Sequence, residues 1–293
     1  MRRRDFIIGL SSASTWPLSG RSEQAARMPR IGFLGLASPA TFASRLDAFR
    51  RGLRDFGYIE GANIAVEYRW AQGRYERLPE LAAELTRSNI DLIVTHATPG
   101  SAAAKRATAT IPIVIAVIGD PVASGIVTSI ARPGGNITGQ SFFNAELRAK
   151  RIELLKELMP GLSQVGVILN ADNPAVESEL QAMATVARLL HLQLWPFRLR
   201  APLEFVGAFE KMEQLGIGAV ETGDDPLSSG NVGAIIALAT RGGLLSVGPE
   251  DVARAGGTMA YGIDVEATFR RTAYFVDRIL KGTSPADLPI ERA

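Results

Sequence analysis

The chain has 293 residues, with 32 Lys and Arg against 30 Asp and Glu, and no cysteine. The missing cysteine excludes disulfides, thiolate nucleophiles, iron–sulfur ligation and cysteine zinc sites. The net charge of +2 comes wholly from the first 26 residues, where Arg2, Arg3, Arg4 and Arg21 outnumber Asp5 and Glu23. The remainder is neutral, so no basic stripe is left to bind nucleic acid.

Residues 1–28 read as an export leader: a basic start, then a short apolar stretch from Phe6 to Leu10 and on to Trp16. The stretch is too short and too polar to span a bilayer. Arg3-Arg4-Asp5-Phe6-Ile7 has the form of a twin-arginine export signal, with Arg2 where Ser or Thr is usual.

From residue 30 the pattern alternates between strand and helix. Arg30 to Leu36 is a short buried strand, and Phe42, Leu46, Phe49, Leu53 and Phe56 then recur at helical spacing up to Gly57. Ile64, Val66, Tyr68 and Trp70 alternate as in a half-exposed strand. A helix starts near Leu78-Pro79, a strand covers Asp91 to Thr95, and a β-branched strand covers Ile111 to Ile118. Pro133-Gly134-Gly135-Asn136 is a turn. Ile137 to Phe142 is extended and reads as a first crossing into a second lobe, followed by a helix from Ala145 to Met159. The rhythm repeats with strands at Val165 to Leu169, Gln193 to Phe197, Ala219 to Thr222 and Leu244 to Val247. Gly256 to Gly262 reads as a return crossing, and Val265 to Lys281 as a last helix rejoining the first lobe. Such alternation implies parallel sheets with right-handed crossovers. The expected fold class is α/β, a two-lobed clamshell with a mostly parallel, helix-flanked sheet in each lobe. Lobe one takes 29–139 plus 262–293, and lobe two takes 140–261.

One junction recurs through this pattern: a strand, a small polar residue, then proline. It stands at Ser38-Pro39, Thr98-Pro99, Asp120-Pro121, Asn173-Pro174 and Asp225-Pro226, and more weakly at Gly248-Pro249. The polar residue can cap a helix, and proline fits the first helical position. Caps at the carboxyl edges of two parallel sheets would aim polar groups into a shared crevice, where α/β proteins bind small ligands. Thr98-Pro99-Gly100-Ser101 is the best candidate anion site, and Asp120 or Asp225 could receive an ammonium group. Ser38, Ser141, Asn170, Asn173 and Tyr261 complete the candidate lining, with Trp70 a possible stacking partner.

Enzymatic motifs are missing. There is no G-x-x-x-x-G-K-[ST] loop, no G-x-G-x-x-G after a strand and no G-x-S-x-G elbow. His96 and His191 are the only histidines, without metal-ligand spacing. No cofactor, metal or catalytic residue is expected. Facing carboxylates at Asp120 and Asp225 keep a cleft enzyme open as an alternative, and a receptor's ligand-sensing domain as another.

Several segments together resemble the ABC-transporter substrate-binding family that includes tryptophan- and tyrosine-type binding proteins. They are the leader M-R-R-R-D-F, Gly57-Tyr58-Ile59-Glu60-Gly61, Glu67-Tyr68-Arg69-Trp70 and Gly73-Arg74-Tyr75. With them go Gly119-Asp120-Pro121-Val122, Arg132 to Gly139, Ala255-Gly256-Gly257 and Tyr261-Gly262. The resemblance implies a type I periplasmic binding-protein fold, hinge closure around a small ligand such as an amino acid, and delivery to an inner-membrane ABC permease. It also implies a periplasmic monomer, with the Thr98 loop, Asp120, Asn173 and Asp225 lining the cleft. Family members continue past the P-A-D-L-P segment with a further strand and helix, whereas this chain stops at Ala293. An unpaired sheet edge in lobe one is therefore expected.

Overall fold

The computed structural model describes residues 27–293. All but the last two residues of the expected leader lie outside the described residues. Two parallel sheets organise the chain, and in each the strands lead into helices that cover both faces.

The first sheet has the order β11-β5-β4-β3-β1-β2. Its strands are β1 (Arg30–Gly35), β2 (Ala65–Trp70), β3 (Leu92–Thr95), β4 (Ile113–Ile118), β5 (Ile137–Ser141) and β11 (Glu291–Arg292). The helices α1 (Ala43–Asp55) and α10 (Val265–Leu280) cover one face and α2 (Leu78–Arg87) and α3 (Ala97–Ala107) the other. β4 is buried along its whole length, as a central parallel strand requires, whereas β2 at the edge is half-buried. Trp70 on β2 fills the space left by Gly35, where a Cβ would come within 2.2 Å of its ring. It packs on Phe33 and Phe42 at 5.6 Å each, so it belongs to the core and not to a ligand surface.

The second sheet has the order β10-β9-β8-β6-β7. It comprises β6 (Gln164–Asn170), β7 (Gln193–Leu199), β8 (Ala219–Thr222), β9 (Leu245–Gly248) and β10 (Met259–Ala260). Around it lie α4 (Asn144–Leu158), α5 (Val176–Leu189), α6 (Phe205–Gln214), α7 (Pro226–Ser229), α8 (Val232–Arg241) and α9 (Glu250–Arg254).

Three expectations change. Ile137–Ser141 is not a crossing but a strand of the first sheet, held between β4 and β11, with Gln140 and Ser141 pairing there. Gly139 allows this close fit: its φ is +144°, and a Cβ would sit 2.0 Å from the Ile115 carbonyl. The edge expected at β5 is covered by a short last strand, because Glu291 and Arg292 pair parallel with Gln140 and Ser141, and the Ala293 N–H donates to the Ser141 carbonyl at 2.8 Å, which leaves β11 as the edge. Most of the polar-proline junctions do not start helices at the proline. Ser38 receives the Thr41 N–H in a turn, and α1 begins only at Ala43. Asp120 Oδ1 receives the N–H groups of Val122 and Ala123 at 2.9 Å each, in a turn with no helix after it. α3 starts one residue before Thr98, with Pro99 inside its first turn, where a missing N–H is still harmless. Asn173 Oδ1 accepts the Ala175 N–H at 3.0 Å, but α5 begins only at Val176. Asp225 caps as expected, accepting from Leu227 N–H with Pro226 first in a helix of four residues.

Candidate functional site

The carboxyl edges of both sheets meet across a recess. Its two walls differ in chemistry. The first lobe contributes Phe42, Val117, Val265 and Phe269 beside the polar Arg45, His96 and Thr98, with Phe142 and Ile263 from the segments joining the sheets. Phe42 and Phe269 meet edge to face at 5.1 Å, and the His96 ring stacks on Phe42 at 4.6 Å. The second sheet contributes Asn173, Glu179, Asp224, Asp225 and Asp251, and Asn144 opens α4 beside them.

His96 belongs to the apolar wall. It precedes Ala97, whose φ of +55° is strained for a residue with a side chain. Its Nε2 accepts the Leu36 N–H at 3.3 Å, so Nδ1 carries the proton of the neutral ring. Burial, followed by the nearby Arg45 charge, pushes its pKa down to about 3. The ring is therefore neutral at physiological pH.

The opposite wall rests on a buried ionic cluster. Arg148 and Arg151, one turn apart on α4, reach under the recess and are almost wholly buried. Arg148 pairs with Glu179 at 2.6 Å and with Glu221, which has no exposed surface, and also donates to the Ile168 carbonyl. Arg151 holds Asp224 through two bonds, at 2.6 and 3.0 Å, and donates to the Tyr261 carbonyl. Burial pulls Arg148 down, but Glu221 and Glu179 outweigh it, and the guanidinium is held above its ordinary value. Burial raises Glu179, against the pull of Arg148.

Asp225 is the meeting point of the two lobes. Its Oδ1 accepts from Leu227 N–H and from Asn170 Nδ2 at 2.9 Å, and its Oδ2 accepts from Asn173 Nδ2 at 2.8 Å. From the other lobe the Tyr75 hydroxyl donates to Oδ1 at 2.8 Å. Burial and then the Asp225 charge hold the Tyr75 hydroxyl well above the usual tyrosine range, so it stays protonated and donates. A second bridge joins Arg45 of α1 to Asp251 of α9. Beyond Tyr75 lies an outer groove, also lined from both lobes, by Ser38, Arg74, Asn170 and Asn231 among others.

Of the residues expected at the site, Thr98, Asn173 and Asp225 line the recess, and Ser38 and Asn170 line the outer groove. The others lie elsewhere. Pro99, Gly100 and Ser101 are buried within α3: Gly100 packs against Thr95 and Leu36, and Ser101 donates to the Ala97 carbonyl. Asp120 is spent on its turn and does not face Asp225 across the recess, so that carboxylate pair is not formed. Ser141 donates to the Gly119 carbonyl inside the first sheet, and Tyr261 is 40% exposed, outside the recess lining. Sequence reasoning missed Phe42, Arg45, Asn144, Glu179, Asp224, Asp251 and Phe269. The signal it followed was the proline junction, and most of these residues lie inside helices.

Residues 36–293 match the family model for ABC transporter substrate binding proteins. The chain belongs to that family. It is 26% identical over 266 residues to a tyrosine-binding protein of Clostridioides difficile (strain R20291), covering 90% of this chain and 76% of the relative. Among solved structures it resembles a conserved domain protein from Vibrio cholerae, with a TM-score of 0.85 and 24% identity over 91% of this chain and 90% of the other. An ABC domain from Streptococcus pneumonia in complex with L-Trp gives 0.83 at 21% identity, covering 90% and 89%. The ligand-free, open form of a Clostridium difficile substrate-binding protein gives only 0.63 at 24% identity, also covering 90% and 89%. The fold is thus the type I periplasmic binding-protein fold, and the protein is an ABC substrate-binding protein. Among the described residues no helix is long and apolar enough to cross a membrane, and no group of three His, Cys, Asp or Glu could hold a metal ion.

Proposed function

We propose that this substrate-binding protein works outside the cytoplasm, takes an aromatic α-amino acid between its lobes, and delivers it unchanged to an ABC permease of the inner membrane. The observation that carries the reading is the contrast between the two walls: aromatic and aliphatic on one side, carboxylate and amide on the other. A zwitterion with an aromatic side chain matches both. Its ring packs on Phe42 and Phe269, and its carboxylate lies toward Arg45 and Thr98. The tyrosine-binding relative and the tryptophan complex add support from outside the chain.

The lobes are assigned to the residues on either side of two crossings, at 142–143 and 261–264, in keeping with sheet membership. Hinge motion at those crossings would open and close the recess. The contacts Tyr75–Asp225 and Arg45–Asp251, with the greater likeness to the tryptophan complex than to the open form, support a closed arrangement here. Residues 1–28 are assigned as a cleaved export leader of the twin-arginine type. Fusing them to a reporter should carry it to the periplasm.

The test is a thermal-shift series with tryptophan, tyrosine and phenylalanine. A ligand at a hundred times its dissociation constant should add about 2.7 kcal/mol of stability. Mass spectrometry should recover that ligand unaltered. No shift with any of the three would refute the ligand class, and turnover would refute the binder.

A further inference from the structure

Beside the recess, on lobe two, stands a buried polar atom that the described residues leave without a partner. Asn144, the first residue of α4, is 6% exposed and lines the recess. Its Nδ2 donates to Glu179 Oε1 at 2.6 Å. That bond fixes the amide, because the flipped orientation would set an oxygen against a carboxylate. Oδ1 is therefore the free atom, buried and without a hydrogen-bond partner among the described residues. A buried acceptor left unmatched is unfavourable, and a ligand donor placed there relieves the cost.

The charge around Asn144 selects the kind of donor. Arg148 and Arg151 face three carboxylates, Glu179, Glu221 and Asp224, so the cluster beneath the recess carries an excess of one negative charge. Asp225 stands beside it with neutral donors only. Across the recess Arg45 is the one guanidinium that the described residues place in the lining, and it is already engaged by Asp251. The surroundings of Oδ1 thus favour a cationic N–H donor, and the recess as a whole is better supplied for a ligand's cation than for its anion.

We propose that Asn144 Oδ1 receives the ligand's ammonium group, with Glu179 and Asp224 supplying the negative field. Asn144 is then a specificity-determining residue: the recess demands a primary amine and forgives the loss of a carboxylate more readily. The inference rests on reading the site as a receptor for aromatic amino acids.

Titration calorimetry of the full chain with three matched ligands tests it: tryptophan, tryptamine and indolepropionate, or tyrosine, tyramine and hydroxyphenylpropionate. The amine without a carboxylate should bind within about tenfold of the amino acid, and the acid without an amine about a hundredfold more weakly. Asn144→Leu, checked for a cooperative melt, should shrink that second gap to about tenfold or less. Equal binding of the amino acid and the amine-free acid to the wild-type protein would overturn the inference while leaving the receptor reading intact. So would an Asn144→Leu protein that weakens all three ligands by one common factor. Failure of every ligand in both series would remove the receptor reading, and this inference with it. The wild-type ranking decides the matter even if the variant does not fold.

Discussion

The two lobes are built on the same plan and defended by different physics. Where lobe one meets the recess, Phe33, Phe42 and Phe269 pack in a continuous aromatic cluster, and the His96 ring beside them is held neutral. Where lobe two meets it, the corresponding layer is ionic, with two arginines buried against three carboxylates. Apolar packing tolerates the loss of a partner by partial collapse, whereas a buried ion that loses its counter-charge cannot. Lobe one supplies shape and lobe two supplies polarity, so the two should fail in different ways.

The largest expected effect is in lobe two. Arg148→Met leaves Glu179 and Glu221 buried without their main counter-charge and should cost about 3–5 kcal/mol, read by urea denaturation. A loss below about 1 kcal/mol would mean that the cluster is not the structural element it is taken to be. In lobe one the matching weakness is acid. His96 has a folded pKa of about 3, below its unfolded value, so the unfolded chain binds the extra proton between those two values. Its contribution is present above about pH 6.5 and is lost as the pH falls, at up to about 1.4 kcal/mol per pH unit. Raised Glu179 works in the opposite direction, favouring the folded state as the pH falls through its raised value toward 4.5, and partly offsets the His96 loss. Stability measured from pH 7 to pH 5 should therefore decline, and His96→Gln should flatten that decline. An unchanged slope would assign the acid sensitivity to another group.

The contact between the lobes comes next. Tyr75→Phe removes a donor to Asp225 without touching the recess lining, and should lower the closed population and weaken ligand binding by about tenfold. The dissociation rate should rise more than the association rate falls, and small-angle scattering of the ligand-free protein should report a larger radius. Identical affinity and radius would show that closure does not use this bond. The smallest effect is expected at Asp120, which faces neither lobe's wall. Asp120→Ala should cost about 1 kcal/mol by releasing two backbone N–H groups, with ligand affinity unchanged. A drop in affinity would return Asp120 to the site.

The alternation of strands and helices and the parallel sheets were legible in the sequence because hydrophobic period and turn chemistry are local properties, and the family was legible in its motifs. The run Ile113–Ile118 is buried along its whole length as its composition requires, and Asp225-Pro226 caps a helix as its chemistry requires. Tertiary structure alone decided which polar groups reach the recess. Arg148 and Arg151 sit three apart on α4, a spacing that reads as an exposed face until Glu179, Glu221 and Asp224 are brought against it. Asp120 and Asp225 are alike in sequence, yet one closes a turn and the other joins two lobes. The reason is physical: a capping carboxylate satisfies neighbouring amides wherever it stands, but whether it also meets a ligand or a second lobe depends on chain segments more than a hundred residues away.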